Sequence, residues 1–179
     1  MKTQFTRPST EEELQQILRK IDSSTQKGHY HDALAGCEFL IEDSSTKAAG
    51  LRERATVFEQ MGEMQKSISD LRELIAMDMG EPADLHQLGI LVLSFGSARE
   101  AVDLFSKTVE VGTKENFHYY TNSSYLHRAE AFLRLGDYAA AEADCAKLPD
   151  GYKTYMAGVG MRTKEQIQME SASKKPRTG

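Results

Sequence analysis

The stretch Gly136–Cys145, GDYAAAEADC, decides the fold. A glycine is followed two residues later by tyrosine and then by an alanine-rich run, the pattern of a helix that starts abruptly after a turn. The same beginning recurs three times upstream: GHYHDALAGC at Gly28, GEMQKSISDL at Gly62 and GSAREAVDLF at Gly96. The first two intervals are 34 residues and the third is 40. Self-similarity at a fixed spacing of this size marks a chain built from repeated supersecondary units.

Aligning the four glycines exposes the side-chain pattern of one unit. Five residues after them stand Ala33, Ser67, Ala101 and Ala141, and seven before stand Ile21, Ala55, Gly89 and Ala129. Most of these are small, which lets two helices approach closely. Nine after stand Cys37, Leu71, Phe105 and Cys145, and twelve after stand Leu40, Leu74, Thr108 and Leu148. On the leading side, Ile17, Leu51, Leu85 and Tyr125 lie eleven before, and Ser24, Phe58, Val92 and Phe132 lie four before. Within each half the offsets differ by about one or two helical turns, so each half is one face of an α-helix. The glycine between them can take the left-handed backbone that ends a helix. Each unit therefore reads as helix, tight turn, helix.

This period and pattern resemble the tetratricopeptide repeat. Leu88, Gly89, Gly96, Ala101 and Phe105 carry the likeness in one unit, and Ala129, Gly136, Tyr138 and Ala141 in another. The resemblance spans about 14–150 and implies an all-α fold, a right-handed solenoid of about four units: 14–47, 48–81, 82–115 and 116–150. Thr10 with Glu13 forms a capping box at the first helix, Pro82 suits a first helical turn, and Thr163 with Gln166 opens a last helix, about 163–172, that caps the solenoid. Residues 1–9 read as an N-terminal tail and 173–179 as a disordered one, leaving one domain over 10–172. The six extra residues of the third interval fall near 114–120. Thr113 is expected to cap a lengthened leading helix of the fourth unit, running to about Leu135, with loop as the alternative.

The resemblance also implies a function: binding a protein or peptide partner in a concave groove lined by the leading helices. The expected partner-binding residues are Arg52, Thr56, His86, Ile90, Leu93, Leu126, His127, Glu130 and Arg134, with Leu18, Asp22 and Glu59 beside them and Phe117, Tyr119 and Tyr120 on the inserted piece. A few buried anchors would carry most of the affinity. Some members of the family clamp acidic chaperone tails with Lys, Asn and Arg residues. At the matching positions this chain has Leu18, Asp22, Glu53, Ala83 and Gln87, so that clamp is absent, and acid sits where an acidic ligand would dock. The C-terminal segment, Cys145–Tyr152 and Arg162–Ile167, is similar to small bacterial tetratricopeptide proteins encoded beside polymorphic toxins. That likeness implies an alternative role as an immunity-type inhibitor. A second copy could also fill an apolar groove, giving a homodimer.

Composition narrows the rest. The net charge of −5 lacks the electropositive footprint of a nucleic-acid binder. No apolar run approaches the length of a membrane span, the first 20 residues are polar rather than signal-like, and no membrane partner is expected. A cytoplasmic location follows, with Cys37 and Cys145 as thiols. Both cysteines could be a redox pair or metal ligands. Their shared repeat offset, filled elsewhere by Leu71 and Phe105, makes them core residues instead. His29-Tyr30-His31 lies in a turn with no further ligands to complete a metal site. His118 and His127 fall on different faces of one predicted helix. No nucleophile elbow, phosphate loop or metalloprotease motif is present. The chain is expected to be no enzyme and to hold no metal or cofactor.

Overall fold

The computed structural model describes residues 5–114 and 118–174. Among these, eight helices form four consecutive hairpins: α1 (Glu11–Gln26) with α2 (Tyr30–Ile41), α3 (Lys47–Gln60) with α4 (Met64–Ala76), α5 (Pro82–Phe95) with α6 (Ala98–Lys114), and α7 (Thr121–Leu135) with α8 (Tyr138–Cys145). A two-stranded antiparallel hairpin follows, β1 (Lys153–Met156) and β2 (Gly160–Thr163), and then α9 (Lys164–Lys174). The chain divides into two compact units, residues 1–80 with α1–α4 and residues 81–179 with the rest.

The repeat offsets identify the core of both units. Cys37, Leu71, Phe105 and Cys145 are fully buried, as are Ala33, Ser67, Ala101 and Ala141. Leu40, Leu74, Thr108 and Leu148 line the same seams. The close approach that small residues permit is most acute at Gly89: a Cβ there would lie 2.6 Å from the Phe105 ring.

Three of the four turn glycines are left-handed, with φ of 73° at Gly28, 77° at Gly62 and 78° at Gly136. In each, the residue after the glycine donates its N–H to the carbonyl five positions earlier: His29 to Ser24 at 2.8 Å, Glu63 to Phe58 at 2.8 Å and Asp137 to Phe132 at 2.9 Å. That back-bond ties down an otherwise orphaned helix-end carbonyl. Gly96 departs from the expectation. Its φ is −146°, and its N–H still bonds Val92 O at 2.9 Å. The turn there is closed from the far side, where Ser97 O accepts from Ala101 N at 3.0 Å.

The expected helix starts are present at three places. Thr10 and Glu13 form the reciprocal capping box of α1, and Pro82 opens α5. At α9, Gln166 N donates to Thr163 Oγ1 at 3.2 Å while Thr163 N donates to Gln166 Oε1 at 2.9 Å. The helix itself runs to Lys174, so Ser173 and Lys174 belong to it, and only 175–179 of the expected disordered tail lie outside the described residues.

The expectation for the insertion fails. The insertion does not lengthen the fourth leading helix: α6 continues through Thr113 to Lys114, and α7 begins only at Thr121. Thr113 caps nothing, because its hydroxyl donates back to Val109 O at 2.8 Å inside α6. The segment before α9, where no element was expected from the sequence, forms the β1–β2 hairpin. In the hairpin Met156 and Arg162 face inward and are buried, while Tyr155 pairs with Met161 across the strands on the outward face.

The N-terminal segment is also used. Phe5 stacks on Phe39, ring centroids 5.5 Å apart. It lies over Gly36, where a Cβ would sit 3.1 Å from its ring and 2.7 Å from Ile21.

Candidate interaction surface

In unit 1, α3 presents Arg52 half-buried and Thr56 exposed one turn on, the Thr56 hydroxyl donating to Arg52 O at 3.2 Å. On α1, Leu18 is half-buried and Asp22 exposed, the latter accepting from Gln26 Nε2 at 2.9 Å. Glu59 is turned into the hairpin and accepts from Ser67 at 3.0 Å.

In unit 2 the expected residues separate into a buried set and an outer set. His86 and His127 are buried, 7% and 2% exposed, as are Leu93, Leu126 and Glu130. They are withdrawn from the surface. Helices α5 and α7 bring the two imidazoles together with ring centroids 5.7 Å apart, and the Phe105 ring contacts both. His86 Nδ1 meets Ser124 Oγ at 3.0 Å and its Nε2 meets Ser123 Oγ at 3.2 Å, so a neutral ring satisfies both nitrogens, one donating and one accepting. His127 Nδ1 donates to Ser123 O at 2.8 Å. Burial, and the neighbouring His127, push the His86 pKa down to about 4. Burial lowers that of His127 too, against the pull of Ser123 O and Glu130.

The outer set of unit 2 rests on this cluster. Tyr120, the residue before α7, lies with its ring 5.1 Å from His86. Tyr119 meets Tyr120 edge-on at 4.8 Å and is 79% exposed. Ile90 is half-buried, and the Arg134 side chain is 35% exposed. Phe117 lies outside the described residues. Arg134 is held in place: its Nε donates to Glu130 at 3.0 Å and its Nη1 to Leu93 O at 2.6 Å. The other Glu130 oxygen accepts from Arg162 Nε at 2.9 Å, and Arg162 reaches Glu170 at 2.5 Å. Buried Glu130 thus binds β2 and α9 to the last repeat.

Two ion pairs escaped the sequence reading. Arg54 grips Asp70 through two bonds of 2.8 Å, and Arg128 grips Asp144 through two of 2.7 Å. Both pairs sit eight residues before and eight after a turn glycine, Gly62 in one case and Gly136 in the other. Each cation also lies over an aromatic ring one turn on, Phe58 and Phe132, both at 5.9 Å. The signal was legible: matched Arg and Asp at mirrored offsets in alternate repeats, with Lys20 and Gly36, or Leu88 and Leu104, in the others. The cysteines behave as core: burial raises Cys37 to about 12 and Cys145 to about 11, leaving neither a ready thiolate. His31 lies in the first turn of α2, fully solvated and 3.8 Å from Asp32.

Small residues at the seams, glycine-closed turns and consecutive helix hairpins define a fold of tetratricopeptide type. Solved structures bear this out. The chain is similar to MamA (TM-score 0.63, 14% identity, covering 73% of this chain and 68% of that one). It is similar to a tetratricopeptide repeat protein from Parabacteroides merdae ATCC 43184 (TM-score 0.62, 16% identity, 74% and 51%). A third likeness is to the nearly identical TPR-like repeats, of kinesin light chain type, of a Podosopora anserina protein (TM-score 0.62, 17% identity, 93% and 87%). No protein-family model matches the sequence, and no curated protein does. At these identities the likeness is one of fold.

Proposed function

We propose that the chain is a non-enzymatic scaffold whose leading helices hold a protein or peptide partner. The observation that carries this reading is the Tyr119–Tyr120 pair. The Tyr119 ring, 79% exposed, offers apolar area with a polar end that a partner can cover. Its neighbour Tyr120 is held against buried His86, so the pair is ordered before a partner arrives, which lowers the entropic cost of binding. Tyrosine and arginine are the side chains most often found as interface anchors. Tyr119, Tyr120, Ile90 and Arg134 are the contact residues of unit 2, and Arg52 and Thr56 those of unit 1. His86, His127 and Glu130 support them from below.

The test is affinity capture from the native organism's lysate, comparing the wild type with Arg52→Ala/Tyr120→Ala and with Tyr119→Ala. One stoichiometric partner, bound more weakly by about tenfold or more in either variant, supports the reading. Partners captured equally by all three proteins would remove these residues from the interface.

A further inference from the structure

We infer that the C-terminal β-hairpin docks this chain on an anionic lipid surface. Residues 154–161, Thr-Tyr-Met-Ala-Gly-Val-Gly-Met, carry no charge and are bounded by Lys153 and Arg162. Within that run Met156 turns inward and is 2% exposed, while Tyr155, Val159 and Met161 turn outward at 67%, 44% and 54%. Tyr155 and Met161 are direct cross-strand partners, so they share one face. Lys153 and Thr163, also paired, continue that face towards the base of the hairpin. Gly158 and Gly160, with φ of 78° and 90°, form the tip around Val159. The hairpin therefore offers an uncharged apolar end, then an amphipathic tyrosine, then a lysine. That order matches the polarity gradient from acyl chains through the interface to headgroups.

Charge selects the occupant. The whole chain carries −5, yet residues 151–179 hold four lysines and two arginines against two glutamates. Arg162 and Lys164 are spent inside the fold, on Glu130 and Glu170 and on Asp150. The outward cation is Lys153, which makes no ion pair with any described residue, while Lys174 at the end of α9 is half-exposed and lies 4.0 Å from Glu170. Lys153, on the same face as Tyr155 and Met161, matches an anionic bilayer, to which each basic side chain near the surface contributes. Three apolar side chains are too few for a stable protein interface, which needs roughly 800 Å² from each partner. They suffice for shallow insertion, whose strength grows with each apolar group buried. No membrane partner was expected from the sequence. No described helix is long and apolar enough to cross a membrane, and a peripheral contact needs none.

The test uses the full chain with vesicles of phosphatidylcholine alone and vesicles containing about a third phosphatidylserine. The expected result is co-sedimentation with the phosphatidylserine vesicles, weakened by high salt as the screening length falls to about 3 Å. Tyr155→Ser/Met161→Ser should cut the bound fraction about tenfold. Both side chains face outward, so the thermal midpoint should hold. Lys153→Glu should weaken binding to the anionic vesicles only. The chain contains no tryptophan, so Tyr155→Trp places a single reporter on the hairpin face. Its emission should shift to the blue on anionic vesicles. No sedimentation of the wild type, an unshifted reporter, or full binding by Tyr155→Ser/Met161→Ser would each overturn the inference. Concentration-dependent self-association without lipid, abolished by that same double substitution, would also overturn it and make a second copy the occupant.

Discussion

Replacing Gly89 by alanine tests the packing of the third hairpin. Helix propensity alone predicts a gain: glycine inside a helix is about 1 kcal/mol worse than alanine, and Gly89 lies within α5. The structure predicts the opposite. The added Cβ would stand 2.6, 2.9 and 3.0 Å from three atoms of the Phe105 ring, well inside van der Waals contact near 3.5–4.0 Å. A flexible neighbour could swing aside, but Phe105 is fully buried and its ring is held between His86 and His127. Relief therefore requires the helices to separate or the ring to leave its rotamer, at about 1–3 kcal/mol. A contact as short as 2.6 Å places that cost in the upper part of the range, about 2–3 kcal/mol, so after the propensity gain the net loss should be about 1–2 kcal/mol. That corresponds to a drop of about 2–8 °C in Tm for a chain of this size. Gly89→Leu should cost more. The assay is thermal and urea unfolding followed by circular dichroism, extended to a double-mutant cycle with Phe105→Leu. If the clash is the cause, the shorter side chain makes room for the methyl group, and the double variant should be more stable than the two single losses add up to. A Gly89→Ala protein as stable as the wild type, or additive losses in the cycle, would refute the close approach of α5 and α6.

Two further outcomes follow from buried charge. The pKa of His86, about 4 in the folded chain, lies below the unfolded value near 6.5, so the unfolded state binds the extra proton. Stability should be full above about pH 6.5 and fall as the pH drops towards 4, by roughly 3 kcal/mol for this group, with His127 adding in the same direction. Urea midpoints measured between pH 7.5 and 4.5 should show that slope, and His86→Phe should flatten it; an equal slope in the variant would place the titration elsewhere. Asp144→Asn should strand the Arg128 guanidinium, whose side chain is only 14% exposed, at a cost of about 3–5 kcal/mol. Asp70→Asn should cost less, because Arg54 is 23% exposed, and equal urea midpoints for the two variants would break that ordering.

Which features could be read from sequence follows from how many residues must agree before a feature forms. The hairpin repeat needs many small commitments that all point one way, and a helix period repeated at four glycines carries them. The packed offsets, the cysteines in the core and the caps at Thr10, Pro82 and Thr163 follow from local chemistry alone. The insertion did not, because the choice between extending α6 and extending α7 rests on one hydroxyl. Thr113 could have capped a new helix, but bonding Val109 O within the old one was equally available to it. The placement of the expected binding residues was harder still. A leading helix in a repeat array has neighbours on more than one side, so a side chain between two packed positions can turn outward, as Arg134 does, or inward, as His127 does. The serines that receive the imidazoles decide the matter for His86. Ser123 and Ser124 lie 37 and 38 positions away on α7, and only the fold reveals that they are adjacent. The β-hairpin, by contrast, left a trace that the helical period concealed. Alternation in Lys-Thr-Tyr-Met and Gly-Met-Arg-Thr, around Gly158 and Gly160, is a strand–turn–strand signal only four residues long on each side. Such a short hairpin gains little stability by itself. It persists because Met156 sits in the apolar core of the last repeat, and because Arg162 and Lys164 are anchored to Glu130 and to Leu148 O, residues of the last repeat hairpin and the turn after it. Those anchors hold the inner face in place, which leaves Tyr155 and Met161 fixed on the outer one.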